Sequence, residues 1–276
     1  MAPTVDYTAT SDSAFTNSLE HAYFSSDKPT FFTNIGCPFA QRANLTLLEG
    51  NIPFHRVEID LQNKPKWYNS EVNPRSKVPA FRDLGDEEIL IESAILSEYL
   101  AEKYATSLIP ATPKLRYLGR LLADVQSSAP PIYQLLKIKS DTPEGLAEEN
   151  AVKAKLLASI KEFTAVLAQG SVEGPFFLGK NVTLPDLITI PILTRTVWLY
   201  EYFFGDKLVP DTPEFARFWT WFNALTERPS FKQSFPGVEK LAEGVIKRGF
   251  GYVRPGAEKK RQAAVPQAQP AAFAAA

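Results

Sequence analysis

Thr30-Phe31-Phe32-Thr33-Asn34-Ile35-Gly36-Cys37-Pro38-Phe39-Ala40-Gln41-Arg42 is the stretch on which the fold turns. Its first half is β-prone and ends at Gly36. From Pro38 apolar residues recur at helical spacing through Leu45, Leu47 and Leu48 as far as Gly50. Pro38 therefore falls at the first helical position, where its missing N–H is no loss. Cys37 becomes the helix cap, facing unpaired N–H groups and the positive end of the helix dipole. That setting predicts an acidic thiol. A free cysteine titrates near ~8.5, and helix N-termini lower this by several units. The dipole supplies roughly 0.3–2 kcal/mol against about 1.4 per pKa unit, so further donors have to contribute. A lone cysteine is commonly an inert buried side chain, but the Gly-Cys-Pro context at a strand-to-helix junction favours a reactive one.

The rest of the chain limits what such a thiol can serve. Its 276 residues suit two domains, and 45% hydrophobic with 22% charged residues is ordinary globular composition. A net charge of −1 gives no electrostatic reason for nucleic acid or an anionic membrane as partner. One cysteine excludes an intrachain disulfide framework and fits a reducing compartment, the cytoplasm. His21 and His55 are too few for a metal site, and none is expected. Residues 1–27 carry no Lys or Arg before the boundary and no apolar segment, so they read as a polar extension rather than a targeting signal. Residues 251–276, dominated after Arg261 by Ala, Pro and Gln, read as a disordered tail.

Two architectures follow each other between these ends. Strands are predicted at 31–35, 54–59, 80–83 and 89–91, helices at 38–50 and from Ile95 to Tyr104, and a short helix at 67–72. This βαβ unit followed by a hairpin and a helix is a thioredoxin-like α/β domain over residues 28–107. Pro110 and Pro113 bracket a linker. Residues 112–250 then read as all-α, with helices from Pro113 to a bend at Pro130-Pro131, over 144–167, from Leu184, and over 214–226. Thr183-Leu184-Pro185-Asp186 is a capping box, and the nearly all-apolar run behind it predicts the buried centre of this domain. Pro191, Arg195 and Glu201 argue against a transmembrane reading of that run.

Three fragments complete a constellation around the thiol. Lys77-Val78-Pro79-Ala80 precedes a strand, where a cis proline would turn the backbone of Val78 outward. Glu92-Ser93 ends a strand and opens a helix; Ser93 can hold a carboxylate at that helix start, unless it is simply a cap, and Glu92 can meet an ammonium. An anion site and an ammonium site beside a thiol suit an amino-acid-like thiol ligand.

Together, Cys37-Pro38-Phe39-Ala40, Asn63-Lys64-Pro65-Lys66-Trp67, Lys77-Val78-Pro79 and Glu92-Ser93 resemble, in order and spacing, the cytosolic glutathione transferases, and among them the omega class and plant dehydroascorbate reductases. The resemblance spans about residues 28–250 and implies the glutathione transferase fold, glutathione as co-substrate and a homodimer. It implies that Cys37 forms a mixed disulfide with glutathione, that Phe39 and Leu61 line its cleft, and that Lys64 meets the glycyl carboxylate. Val78 would pair with the cysteinyl backbone, and Glu92 and Ser93 would hold the γ-glutamyl end. Trp221, with Trp198, Tyr202 and Phe222, would form an electrophile pocket for a small hydrophobic or oxidised substrate. The activity implied is thiol transfer or reduction, including dehydroascorbate reduction. The alternatives are a conjugating transferase, a carrier of hydrophobic ligands, or a relative of the chloride intracellular channels or of the elongation factor gamma subunit. Ala40 stands where a second cysteine of a Cys-x-x-Cys pair would be, so no internal resolving thiol exists.

Overall fold

The computed structural model describes residues 7–9, 27–251, 254 and 257. The chain enters the described fold as β1 (Tyr7–Ala9) and continues with β2 (Thr30–Thr33), α1 (Pro38–Glu49) and β3 (His55–Ile59). All four residues of β2 are buried, as a strand covered on both faces requires. A single π-helical turn (Tyr68–Val72) leads to the hairpin β4 (Ala80–Arg82) and β5 (Ile89–Ile91), and α2 (Ser93–Tyr104) closes the domain.

The sheet order is β1-β3-β2-β4-β5. β1, β3 and β2 are parallel, with Tyr7 opposite Val57 and Phe32 opposite Val57 from the other side. β4 runs antiparallel to β2, placing Phe81 against Phe31, and β5 antiparallel to β4. The N-terminal stretch expected only as a polar extension thus contributes a fifth strand to the sheet.

The helical part follows with α3 (Pro113–Ser128), α4 (Ile132–Leu136) just after the Pro130-Pro131 bend, α5 (Pro143–Leu167), α6 (Leu184–Phe204), α7 (Ala216–Thr226), α8 (Pro229–Ser234) and α9 (Val238–Lys247). α8 and α9 are additional to the sequence reading. α6 is the centre: it is buried nearly all round and packs on α1, α3, α4 and α9. Its start is closed by Asp186, whose carboxylate accepts from the Thr183 N–H (2.9 Å), the Thr183 hydroxyl (3.0 Å), the Phe177 N–H (2.9 Å) and the Trp221 indole (2.8 Å).

One hydrophobic core runs from Phe31 and Leu47 of the first domain through Leu193 and Phe218 of the second. A smaller cluster (Phe32, Val57, Ile59, Trp67, Tyr68, Val78) lies on the other side of the sheet, with Cys37 and Leu61 packed against it. Beyond α9 the chain folds back. The Gly251 N–H donates to the Leu136 carbonyl (3.0 Å), and the Arg254 N–H to that of Phe203 (3.1 Å). The Arg254 guanidinium pairs with buried Glu149 over the Phe204 ring. The stretch expected to be a tail from 251 therefore begins anchored, because a buried carboxylate needs the cation. The Ala/Pro/Gln-rich remainder lies outside the described residues. Among the described residues no helix is long and apolar enough to cross a membrane.

Candidate active site

Cys37 sits at the cap of α1 with extended backbone (φ −81°, ψ 119°), Pro38 opens the helix, and no side chain caps it. The Cys37 N–H is held by the Asn34 carbonyl at 2.9 Å, and Asn34 is in turn tied to the Ile59 carbonyl through its side-chain amide (2.9 Å). The thiol is half-buried and lies 3.9 Å from the carbonyl of Val78. Its acidity corrects the sequence expectation. Burial pushes the thiol up, and the N–H groups of Ala40 and Phe39 with the charges of Arg195 and Arg42 offset only part of this. The cap position alone does not decide the pKa, because the same packing that positions the sulfur removes water from it.

The fragments expected around the thiol meet there. The Val78-Pro79 peptide is cis. The loop before it is held by the Tyr68 hydroxyl (2.8 Å) and the Asn73 amide (2.7 Å), both donating to the Lys77 carbonyl. Lys64 reaches the same loop, its Nζ donating to the Ser76 carbonyl at 2.7 Å and to the Ser76 hydroxyl at 3.2 Å. Leu61 lies with Cys37 on the small cluster, and Phe39 is 49% exposed beside the thiol. Ser93 is buried at the first position of α2, not at the cap. The cap is Glu92, held at φ +68°, a left-handed conformation that costs a non-glycine residue about 1–3 kcal/mol. Its exposed carboxylate pairs with Arg75.

Two buried arginines flank this site and were not singled out from sequence as functional. Arg42 donates to the Ile188 carbonyl (2.8 Å), Gln126 Oε1 (3.0 Å) and the Ser93 hydroxyl (3.5 Å). Arg195, 1% exposed, donates to Gln41, to the Pro191 carbonyl (3.0 Å) and to the Gly36 carbonyl (3.4 Å), while its Nε finds no partner. Neither forms an ion pair among the described residues. Burial pulls both guanidiniums down to about 10, and the Cys37 thiolate favours their charged form. The sequence did carry a signal for Arg195: a cation within an apolar run is buried, and buried charge needs a counter-charge.

Of the four aromatics expected to line an electrophile pocket, two are fully buried and two half-buried. Trp221 and Phe222 are fully buried, Trp221 lying tilted against Phe163 (5.2 Å between centroids) with its indole donating to Asp186. Trp198 meets Phe222, Phe231 and Phe235 edge-on, and Tyr202 packs on Phe203. Trp221 and Phe222 are core, while Trp198 and Tyr202 stay half-buried at its edge; helical periodicity alone does not distinguish a ligand-facing stripe from a packed one. α9 comes close to the strand-to-helix turn that carries the thiol: a methyl added to Gly36 would meet Leu241 at 4.0 Å.

A thioredoxin-like domain that presents a capping cysteine beside a cis-proline loop and a Glu-Ser helix start, backed by an all-helical domain, defines an enzyme class built for thiol chemistry on glutathione. Residues 32–108 match the family model for the glutathione S-transferase N-terminal domain. The chain is 40% identical over 218 residues to pyrimidodiazepine synthase of Drosophila melanogaster, covering 78% of this chain and 84% of that protein. It is 29% identical to a probable cytosolic glutathione S-transferase DHAR1 of Oryza sativa subsp. japonica (75% and 88% covered) and 29% identical to glutathione S-transferase omega-1 of Sus scrofa (70% and 75%). Among solved structures, glutathione transferase Omega 1C from Trametes versicolor superposes with a TM-score of 0.64 at 26% identity over 80% of this chain and 96% of that one. The chain belongs to the glutathione transferase family, on its omega-like branch, and glutathione is its co-substrate.

Proposed function

We propose that this protein is a glutathione-dependent thiol transferase and reductase whose nucleophile is Cys37. The observation that carries this reading is a single thiol at a helix start, packed against the cis-proline loop and between two buried guanidiniums that lack carboxylate partners. The Cys37 thiolate attacks the glutathionyl sulfur of a mixed disulfide, the old S–S bond breaks, and the reduced thiol leaves. A second glutathione thiolate then attacks the Cys37-bound glutathionyl sulfur, releasing glutathione disulfide and restoring Cys37. Glutathione lies along the cis-proline loop in this reading: Val78 pairs with its backbone, Lys64 meets the glycyl carboxylate, Glu92 and Ser93 hold the γ-glutamyl end, and Phe39 and Leu61 border the cleft. The second substrate is a small oxidised molecule.

The test follows from the single cysteine. Glutathione disulfide should add one glutathionyl mass per chain, removable by reductant, and Cys37→Ser should take up none and lose thiol-transfer turnover at least about a thousandfold. Full turnover in Cys37→Ser would overturn the assignment. We also infer a cytoplasmic homodimer. Support comes from Ile95 (68% exposed) on α2 and Tyr117 (56%) on α3, large apolar side chains flanking the exposed Glu98–Arg120 pair. A monomer in sedimentation, or an unchanged dimer in Ile95→Glu, would set that face aside.

A further inference from the structure

From α1, Arg42 reaches three other helices. Its guanidinium donates to the Ile188 carbonyl on α6 (2.8 Å), to Gln126 Oε1 on α3 (3.0 Å) and to the Ser93 hydroxyl on α2 (3.5 Å). It is buried, lies 5.1 Å from the centre of the Phe39 ring and has no ion-pair partner among the described residues. Three neutral acceptors leave its charge unanswered, and an unanswered buried charge is costly. Arg228 and Arg254, which tie other parts of this fold together, each meet a carboxylate, Glu49 and Glu149. Holding helices together needs hydrogen bonds, which a neutral side chain supplies without that cost.

What Arg42 faces is a helix start. α2 opens at Ser93, its cap residue Glu92 makes no side-chain bond to the helix, and no acid lies in the first turn. A start of this kind attracts an anion. The Ser93 hydroxyl stands between the buried cation and that start. Its oxygen accepts from Arg42, and among the described residues its hydrogen goes to no other group. A hydroxyl has one hydrogen to donate, so Ser93 keeps it for a ligand. The 3.5 Å contact is long, and what it brings is charge. A carboxylate accepting from Ser93 would lie within about 6 Å of the guanidinium nitrogen. We propose that Arg42 is a positioning residue for glutathione, turning the Ser93 hydroxyl outward and supplying the charge by which the site selects the α-carboxylate of the γ-glutamyl group. This rests on the placement of the γ-glutamyl end at Glu92 and Ser93 proposed above. Arg42 acts on the ligand only through Ser93. Neutralising Arg42 from behind, with a carboxylate at position 126, should therefore weaken recognition of a group that Gln126 itself never meets.

The probes are glutathione and 4-aminobutanoyl-cysteinyl-glycine, which lacks only the α-carboxylate and keeps the ammonium, the thiol and the glycyl end. The readout is the ratio of their dissociation constants, analogue over glutathione, from calorimetry on the full chain with a reductant present. Changes in general fold or cleft shape act on both ligands and cancel in the ratio. Gln126→Glu, at unchanged size, puts a carboxylate on the bond Arg42 now makes to Gln126 at 3.0 Å. It should lower the ratio about fivefold while the unfolding midpoint holds or rises. Arg42→Met should lower the ratio about tenfold, and Arg42→Lys should keep most of it. Gln169→Glu, the same change at an exposed position just beyond α5, controls for the field of the whole protein. A ratio in Gln126→Glu no lower than in Gln169→Glu overturns the proposal; should Gln126→Glu fail to fold, Arg42→Met is judged in its place. Ser93→Ala separates this proposal from the reading beneath it. If Ser93→Ala lowers the ratio and Gln126→Glu does not, the γ-glutamyl end lies at Ser93 and Arg42 is only a tie between helices. If the wild type binds both ligands alike, or Ser93→Ala leaves the ratio unchanged, the placement at Ser93 has failed and the proposal falls with it.

Discussion

The starts of α1 and α6 use the same local devices and come to opposite ends. Each helix begins after an extended cap residue with a proline in its first turn. At α6 an acid in the first turn closes the structure: Asp186, fully buried, gathers two backbone N–H groups, the Thr183 hydroxyl and the Trp221 indole. At α1 the first turn holds no acid, the cap side chain makes no capping bond, and the nearest charges are two buried arginines without carboxylate partners. A helix start answered from within the protein becomes a fixed point of the fold. One left unanswered is available to a ligand's charge, and the protein bears its instability there.

The largest effect that would sharpen or break this contrast is on stability. Asp186→Ala strands several buried donors and should cost about 3–5 kcal/mol in urea unfolding. Cys37→Ser should cost under about 1 kcal/mol. Similar losses at the two caps would remove the contrast. The next effect concerns Arg195. Because burial raises the Cys37 thiol, wild-type alkylation should still be accelerating above the ~8.5 midpoint of a free cysteine. Arg195 lowers that pKa, so Arg195→Met should move the midpoint further up and slow alkylation at pH 7 several-fold. The same variant removes an uncompensated buried charge, so its stability should hold or rise. A downward midpoint, or a severe loss of stability, would show that Arg195 belongs to the structure rather than to the thiol. The smallest effect is at Ser93. Ser93→Ala should raise the dissociation constant for glutathione about tenfold, the loss of one charge-assisted hydrogen bond. Its unfolding curve should shift little, since Ser93 makes no capping bond and the hydrogen bond its hydroxyl accepts from Arg42 is long at 3.5 Å. Intact affinity in calorimetry would detach Ser93 from the ligand.

What could be read in advance follows the range of the interactions involved. The caps at Cys37 and Thr183 were legible because a cap is decided within four residues. The alternation of strand and helix was legible because period and length agree over 28–107. α8, six residues from Pro229 to Ser234, and β1, three residues long, are too short for periodicity to register. Nothing in a helical repeat says which neighbour a ring will face, so the buried Trp221 and Phe222 read no differently from the half-buried Trp198 and Tyr202. Arg195 was used only to exclude a membrane span, although a guanidinium among leucines and isoleucines already implies a buried charge with a task. The thiol's pKa depended on how much water packing leaves around Cys37, which no local motif reports.

β1 carries a consequence for how this protein lives at high concentration. With residues 7–9 in place, the flank of β3 is already paired through residues 57–59. A chain shortened past Ala9, by a protease or a later start of translation, would present that flank as a bare row of amide and carbonyl groups, open to a strand from any other molecule. Residues 7–9 act as the selvedge of the sheet: they replace the flank of β3 by an edge strand only three residues long, which offers a neighbour little to pair with.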